Sequence, residues 1–208
     1  MPAPPTPALD ALRGADAVAY LRDGALVAHA TTSLLGIGAN PLSDRAMDAL
    51  DTLKGRHRGE GYVHVVDCAE HARGWISAAD LQRWLAIDLP GPVTWVLAAG
   101  PAVPARVRGP AGTIAIRRDT HPCVQWLCGA LGHPIVSSSL NLPGAAPAED
   151  LDAIPAALVA ALAGAFVRPP APVGAASTVV APTSGGWRLL REGAVSKAAL
   201  IAALGPST

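Results

Sequence analysis

Residues 43–67 read SDRAMDALDTLKGRHRGEGYVHVVD. Ser43 or Asp44 can cap a helix whose Ala46, Met47, Leu50 and Leu53 share one face, since residues three and four apart align on a helix. Tyr62-Val63-His64-Val65-Val66 then reads as a strand, being short, apolar and rich in β-branched residues. Between the two lies Lys54-Gly55-Arg56-His57-Arg58, which packs three of the chain's 16 Lys and Arg into five positions. The negative end of a helix favours a nearby cation by roughly 0.3–1 kcal/mol. That accounts for Lys54 but not for all three charges, so the connection reads as a seat for an anion.

Working outward, helices and strands alternate. Strands are predicted at 25–30, 93–99, 113–118, 134–136, 166–167, 177–180 and 187–191. Helices are predicted at 8–21, 77–87, from Pro122 onward, at 149–163 (interrupted by Pro155) and at 196–204. Such interleaving without a repeat implies an α/β or α+β fold, a twisted mixed sheet flanked by helices. Residues 8–205 are expected to form one domain, after a Pro-rich, unstructured lead-in at 1–7.

Half of the 208 residues are hydrophobic and the formal net charge is zero, which argues against a disordered or supercharged chain and against wholesale coating of nucleic acid. Cys68, Cys123 and Cys128 are the three cysteines. An odd count without Cys-x-x-Cys or a Cys/His zinc spacing argues against a disulfide framework and a structural metal, so no metal ligand is assigned. No apolar run is long enough to span a membrane, and the first residues lack the pattern of a secretion signal, so a cytoplasmic location is expected.

Four polar clusters fall at strand ends: Thr31-Thr32-Ser33, Lys54 to Arg58, Arg117 with His121, and Ser137-Ser138-Ser139-Leu140-Asn141. If they converge, they form a cationic, hydroxyl-rich pocket suited to a nucleotide and its phosphates. Thr31 is followed by Gly36-Ile37-Gly38, where glycine allows close backbone approach in a turn. There is no Gly-x-Ser-x-Gly elbow and no paired carboxylates. Catalysis is therefore expected to work by positioning and by stabilising phosphate charge.

These clusters, in order, resemble the YrdC-like threonylcarbamoyl-AMP synthases, in their short, single-domain form. Lys54-Gly55-Arg56 is similar to the family's Lys-x-Arg, and Ser139-Leu140-Asn141 to its Ser-x-Asn. Pro90-Gly91-Pro92-Val93-Thr94, Arg117 with His121-Pro122, Ser177 to Val180, and Arg191-Glu192-Gly193-Ala194 match further family segments. The resemblance implies a nucleotidyltransferase that makes L-threonylcarbamoyl-AMP from L-threonine, bicarbonate and ATP, releasing pyrophosphate, for tRNA threonylcarbamoyladenosine modification. It implies that Lys54 and Arg56 hold the phosphates and the leaving pyrophosphate, while Thr31 and Ser139 bind threonine or nucleotide. Ser137 and Asn141 would line the nucleotide site, and Arg117 would contact phosphate or the threonine carboxylate. Mg2+ would be carried by the ATP oxygens, and tRNA and downstream tRNA-modification proteins would be the partners.

Several positions depart from the family pattern. Thr32 stands where a Glu is usual, His57 where a Pro is, Glu60 at a basic or polar position, Leu140 at a small one and Ala181 at an Asp. A reversed charge close to phosphates costs several kcal/mol when partly desolvated. The alternative expectation is thus a divergent relative that binds nucleotide or RNA, including double-stranded RNA, without the chemistry. Arg106 and Arg108 would join the basic connection in a face for such RNA.

Overall fold

The computed structural model describes residues 9–208 except 57, 58, 88, 90 and 153. The expected lead-in at 1–7, His57 and Arg58 of the basic connection, and Pro90 of the Pro-Gly-Pro turn lie outside the described residues. Among the described residues nine strands run in chain order: β1 (Val27–Ala30), β2 (Leu35–Ala39), β3 (Val63–Val66), β4 (Val93–Ala98), β5 (Thr113–Arg118), β6 (Ile135–Ser139), β7 (Ala165–Phe166), β8 (Thr178–Thr183) and β9 (Gly186–Arg191). They hydrogen-bond into one sheet in the order β7-β1-β2-β6-β3-β5-β4-β8-β9. The pairs β1/β7, β3/β5 and β4/β8 are parallel and the others antiparallel, so the expected mixed sheet is present.

The helices are α1 (Gly14–Arg22), α2 (Asp44–Lys54), α3 (Ala69–Ala72), α4 (Ala78–Leu85), α5 (Pro122–Leu131), α6 (Ala156–Ala161) and α7 (Lys197–Leu204). Their starts follow from capping chemistry. Ser43, Ser77 and Ser196 each accept an N–H of the first turn, and the His121 ring does so for Cys123. α2 stops at Lys54 because Gly55 takes a left-handed conformation, φ 58°, that a residue with a Cβ adopts at a cost.

Three differences from the sequence reading have a direct physical cause. α1 begins at Gly14 and not at Ala8, because the preceding residues pair with β7: Leu12 N–H donates to Ala165 O at 2.8 Å. The helix predicted at 149–163 shrinks to Ala156–Ala161, since Pro155 lacks the N–H an interior position must supply and caps the helix instead. Gly36 and Gly38 lie within strand β2 and not in a turn. Strand register explains their composition: His29 sits opposite Gly36, and a Cβ at Gly36 would lie 3.1 Å from His29 Nε2 and 2.7 Å from Ser137 Oγ. The glycines make room for a buried imidazole.

The core is continuous along the sheet, with Ile37, Leu50, Ile114, Ile116, Leu127, Ile135 and Phe166 buried. Each such side chain contributes roughly 1.5–3 kcal/mol through burial. β5 occupies the interior of the sheet, so Arg117 is a buried cation there and not an edge charge.

Candidate active site

Directly opposed residues in a ladder point to the same face. Gly36 opposes Ser139, Gly38 opposes Ser137, and Val65 lies beside both Arg117 and Ile135. Because side chains alternate along a strand, His29, Gly36, Ser137, Ser139 and Arg117 share one face. Thr94, next to Trp95 in the β4/β5 register, joins them and meets Ser177 Oγ at 2.8 Å. A cleft opens on this face. It is lined by Thr31, Ser33, Arg56, Tyr62, Arg117, Ser137, Ser138, Ser139, Ser177 and Arg191, with Gly36 and apolar neighbours, and no carboxylate is among its lining residues.

Each cation is held differently. Arg56 donates to Gly61 O at 2.7 Å, and its guanidinium lies 4.7 Å from the centre of the Tyr62 ring. The Tyr62 hydroxyl donates to Asp51 Oδ1, and burial together with that carboxylate raises its pKa. Arg117 donates from Nε and Nη2 to Asp119 Oδ2 at 3.1 and 2.8 Å. Burial alone pushes the Asp119 carboxyl up. The Arg117 charge and the hydrogen bonds from Arg117, His121 N–H and Thr32 N–H outweigh it, holding Asp119 below the ordinary carboxylate range. Arg191 donates to Ser177 O at 2.8 Å, and partial burial together with the Arg117 charge lowers its pKa.

Lys54 is not among the residues lining the cleft. Its Nζ donates to Ser139 O at 2.8 Å, Asn141 O at 2.7 Å and Asn141 Oδ1 at 2.7 Å, so three ammonium hydrogens meet three oxygens. Ser139 Oγ also donates to Asn141 Oδ1, at 2.7 Å. The lysine therefore binds the end of β6 and places its charge behind Ser139. Desolvation, then the Arg56 charge, lower its pKa to about 8.

The buried His29 has its pKa lowered to about 4, mainly by desolvation, and is neutral at pH 7. Its Nδ1 lies 3.3 Å from Ala30 O, an acceptor, so Nδ1 carries the proton and Ser137 Oγ donates to Nε2 at 3.1 Å. Thr31 Oγ1 donates to Leu34 O at 2.8 Å and receives the N–H groups of Ser33 and Leu34, which shapes the turn at the cleft's edge.

Of the residues singled out from sequence, Thr31, Arg56, Arg117, Ser137 and Ser139 line the cleft, while Lys54 and Asn141 form the support behind it. Sequence reading missed Tyr62, Asp119, Ser177, His29 and a role for Arg191. Arg191 and Ser177 already stood in segments similar to the family's last strands, which was the available signal. Two of the departures have a place in the structure. Leu140 is buried in the core and does not obstruct the cleft. Thr32, where a Glu is usual, donates its N–H and hydroxyl to the carboxylate of Asp119. Arg106 does not extend a basic face: its side chain is 9% exposed and paired with Asp44, Asp48 and Asp51 at 2.9, 2.8 and 3.1 Å.

The family model Sua5_yciO_yrdC, described as Telomere recombination, matches residues 19–193. The chain belongs to the Sua5/YciO/YrdC family. A Chromohalobacter salexigens relative named threonylcarbamoyl-AMP synthase is 40% identical over 138 residues, covering 65% of this chain and 75% of that protein. An Alkalilimnicola ehrlichii relative of the same name is 35% identical over 144 residues, covering 69% and 76%. Among solved structures, a P. abyssi Sua5 variant superposes with a TM-score of 0.82 at 23% identity. That match covers 94% of this chain and 62% of the Sua5 chain, and it shows the shared fold. The Sua5/YciO/YrdC domain thus accounts for the mixed sheet, and the cleft lies on one face of it.

Proposed function

We propose that this protein is a threonylcarbamoyl-AMP synthase, joining L-threonine, bicarbonate and ATP with loss of pyrophosphate. The observation that carries this reading is the cleft itself. Arg56, Arg117 and Arg191 face it together with a row of hydroxyls, and among the described residues no carboxylate lines it, which suits a polyphosphate and an α-carboxylate. The family relatives of the same name support it.

Threonine and bicarbonate combine, with loss of water, to an N-carboxy-threonine carbamate. One carbamate oxygen attacks the α-phosphorus of ATP, the new P–O bond forms, and the bond to the bridging oxygen breaks to release pyrophosphate. Arg56 and the Lys54 charge behind Ser139 stabilise the growing negative charge on the leaving group. Arg117, fixed in direction by Asp119, receives phosphate or the threonine carboxylate. Thr31 and Ser139 orient threonine or nucleotide, while Ser137 and Asn141 set the nucleotide wall. No carboxylate lines the cleft among the described residues, so Mg2+ would come as part of the ATP substrate, carried by its phosphate oxygens. The mixed anhydride product is consumed by transfer to a tRNA adenosine with the help of downstream modification proteins.

Pyrophosphate release tests the reading. Release that requires ATP, L-threonine and bicarbonate together is expected; ATP binding without turnover would overturn it.

A further inference from the structure

Where β3 runs into the short helix α3, Asp67, Cys68 and His71 turn a carboxylate oxygen, a sulfur and an imidazole nitrogen toward one point. We propose that these three residues form a binding site for a zinc-class divalent cation with one open coordination position. His71 Nδ1 lies 2.7 Å from Asp67 Oδ1 and 3.4 Å from Cys68 Sγ, and the three ligand atoms all fall within 4.8 Å of one another. Carboxylate and thiol thus engage the same ring nitrogen. A nucleophile relay needs them on opposite nitrogens, so that reading fails. One proton on Nδ1 satisfies one of the two neighbours, whereas one cation in its place satisfies all three donors.

The spacing suits such an ion. Zn–S of about 2.3 Å and Zn–N or Zn–O of about 2.0–2.1 Å put tetrahedral ligand atoms roughly 3.3–3.6 Å apart. The thiol–imidazole separation already matches, the carboxylate opens from the imidazole by about 0.6 Å by the same bond lengths, and the carboxylate–sulfur pair closes from a separation within 4.8 Å. Cys68 occupies the N-cap of α3, where Ser, Thr or Asp would bond to the first turn, yet its side chain makes no capping bond. The His71 and Asp67 side chains are 22% and 14% exposed, shielded but reachable. A thiolate, an imidazole and a carboxylate select zinc or cobalt over magnesium or calcium, which prefer oxygen throughout. Three protein ligands leave a fourth position for water. The site also adjoins the cleft's support. The carbonyl of Val66, next to Asp67, accepts the Asp119 N–H at 2.8 Å, and Asp119 holds Arg117.

The test uses the full chain, stripped of metal with a chelator and kept reduced, titrated with Co2+. One equivalent is expected to give sulfur-to-cobalt charge-transfer absorption with tetrahedral d–d bands, and Zn2+ is expected to abolish both. Cys68→Ser removes the charge-transfer band, Cys123→Ser keeps it, and His71→Ala weakens Co2+ binding at least tenfold. A second measurement needs no variant: Zn2+ slows alkylation of Cys68 at least tenfold, followed by peptide mass spectrometry. Absence of cobalt absorption, a band that survives Cys68→Ser, or an alkylation rate indifferent to Zn2+ overturns the proposal.

Discussion

Lys54 Nζ donates to Asn141 Oδ1 at 2.7 Å across 87 residues of sequence, and to the main-chain oxygens of Ser139 and Asn141 at 2.8 and 2.7 Å. The C-terminus of α2 is thereby fastened to the end of β6, and the wall of the cleft is set before any nucleotide enters. Lys54→Ala should reduce pyrophosphate release at least a hundredfold and cost about 1–3 kcal/mol of stability, because oxygens at a half-buried site lose their donor. Lys54→Arg should not restore activity, since a planar fork cannot reproduce three converging tetrahedral donors. Steady-state kinetics with urea denaturation of each variant check both.

The lysine also predicts two opposite pH slopes. Its pKa is about 8 in the folded chain, against 10.5 for an unperturbed lysine, because of desolvation and then Arg56. Between those values the unfolded chain holds the proton and the folded chain does not, so stability from this group rises with pH across that window. It is lost as pH falls through about 8. Activity should move the other way and decline above about pH 8, as the charge behind Ser139 disappears. A pH–rate profile and pH-dependent melting, each compared with Lys54→Met, check the pair of slopes; Lys54→Met should flatten the stability slope.

Asp119 and Arg117 form a buried pair at 2.8 Å. Asp119→Asn should destabilise the chain by about 3–5 kcal/mol, because Arg117 keeps its charge without a neutralising partner. The folded Asp119 carboxyl sits below its ordinary range. Its contribution is therefore complete above the unfolded carboxylate pKa and is lost as pH falls through the lower folded value. Urea midpoints of the two chains should converge on acidification; an equal gap at all pH values would contradict the pairing.

Arg106 joins Asp44, Asp48 and Asp51, and Asp51 in turn accepts the hydroxyl of Tyr62, over which Arg56 lies. Arg106→Ala should lower stability by about 1–3 kcal/mol and raise the KM for ATP through the loosened Tyr62–Arg56 contact. Arg106→Lys should recover only part, since one ammonium cannot fork to three carboxylates. Chemical denaturation and ATP titration of both variants measure this. A KM unchanged in Arg106→Ala would break the link to Arg56.

Much of the scaffold was legible because its signals are local. Ser43, Ser77 and Ser196 announce helix starts through a hydroxyl and a nearby N–H, and β5 spans Thr113–Arg118 as read. Errors arose where a distant segment competed for the backbone. Residues before Gly14 left the expected helix to bond β7, and Gly36 and Gly38 became strand because the His29 ring needed the space. At the site, residue types and order pointed to Arg56, Arg117, Ser137 and Ser139, which the fold brings together as lining of one cleft. Their partners did not follow from sequence: Asp119 reads as an ordinary loop acid until Arg117 and Thr32 close on it.

The sequence by itself determined the alternation of helices and strands, the mixed-sheet class and the family, because caps, periodicity and ordered motifs act over a few residues at a time. Only the tertiary structure decided what the charges do. Lys54 supports the cleft from behind, Arg56 and Arg191 face into it, Arg117 does so while tied to Asp119, and Arg106 is neutralised by α2. The reason is physical: a charge acts through the groups within a few ångströms of it, and strand pairing and helix packing choose those groups from distant parts of the chain.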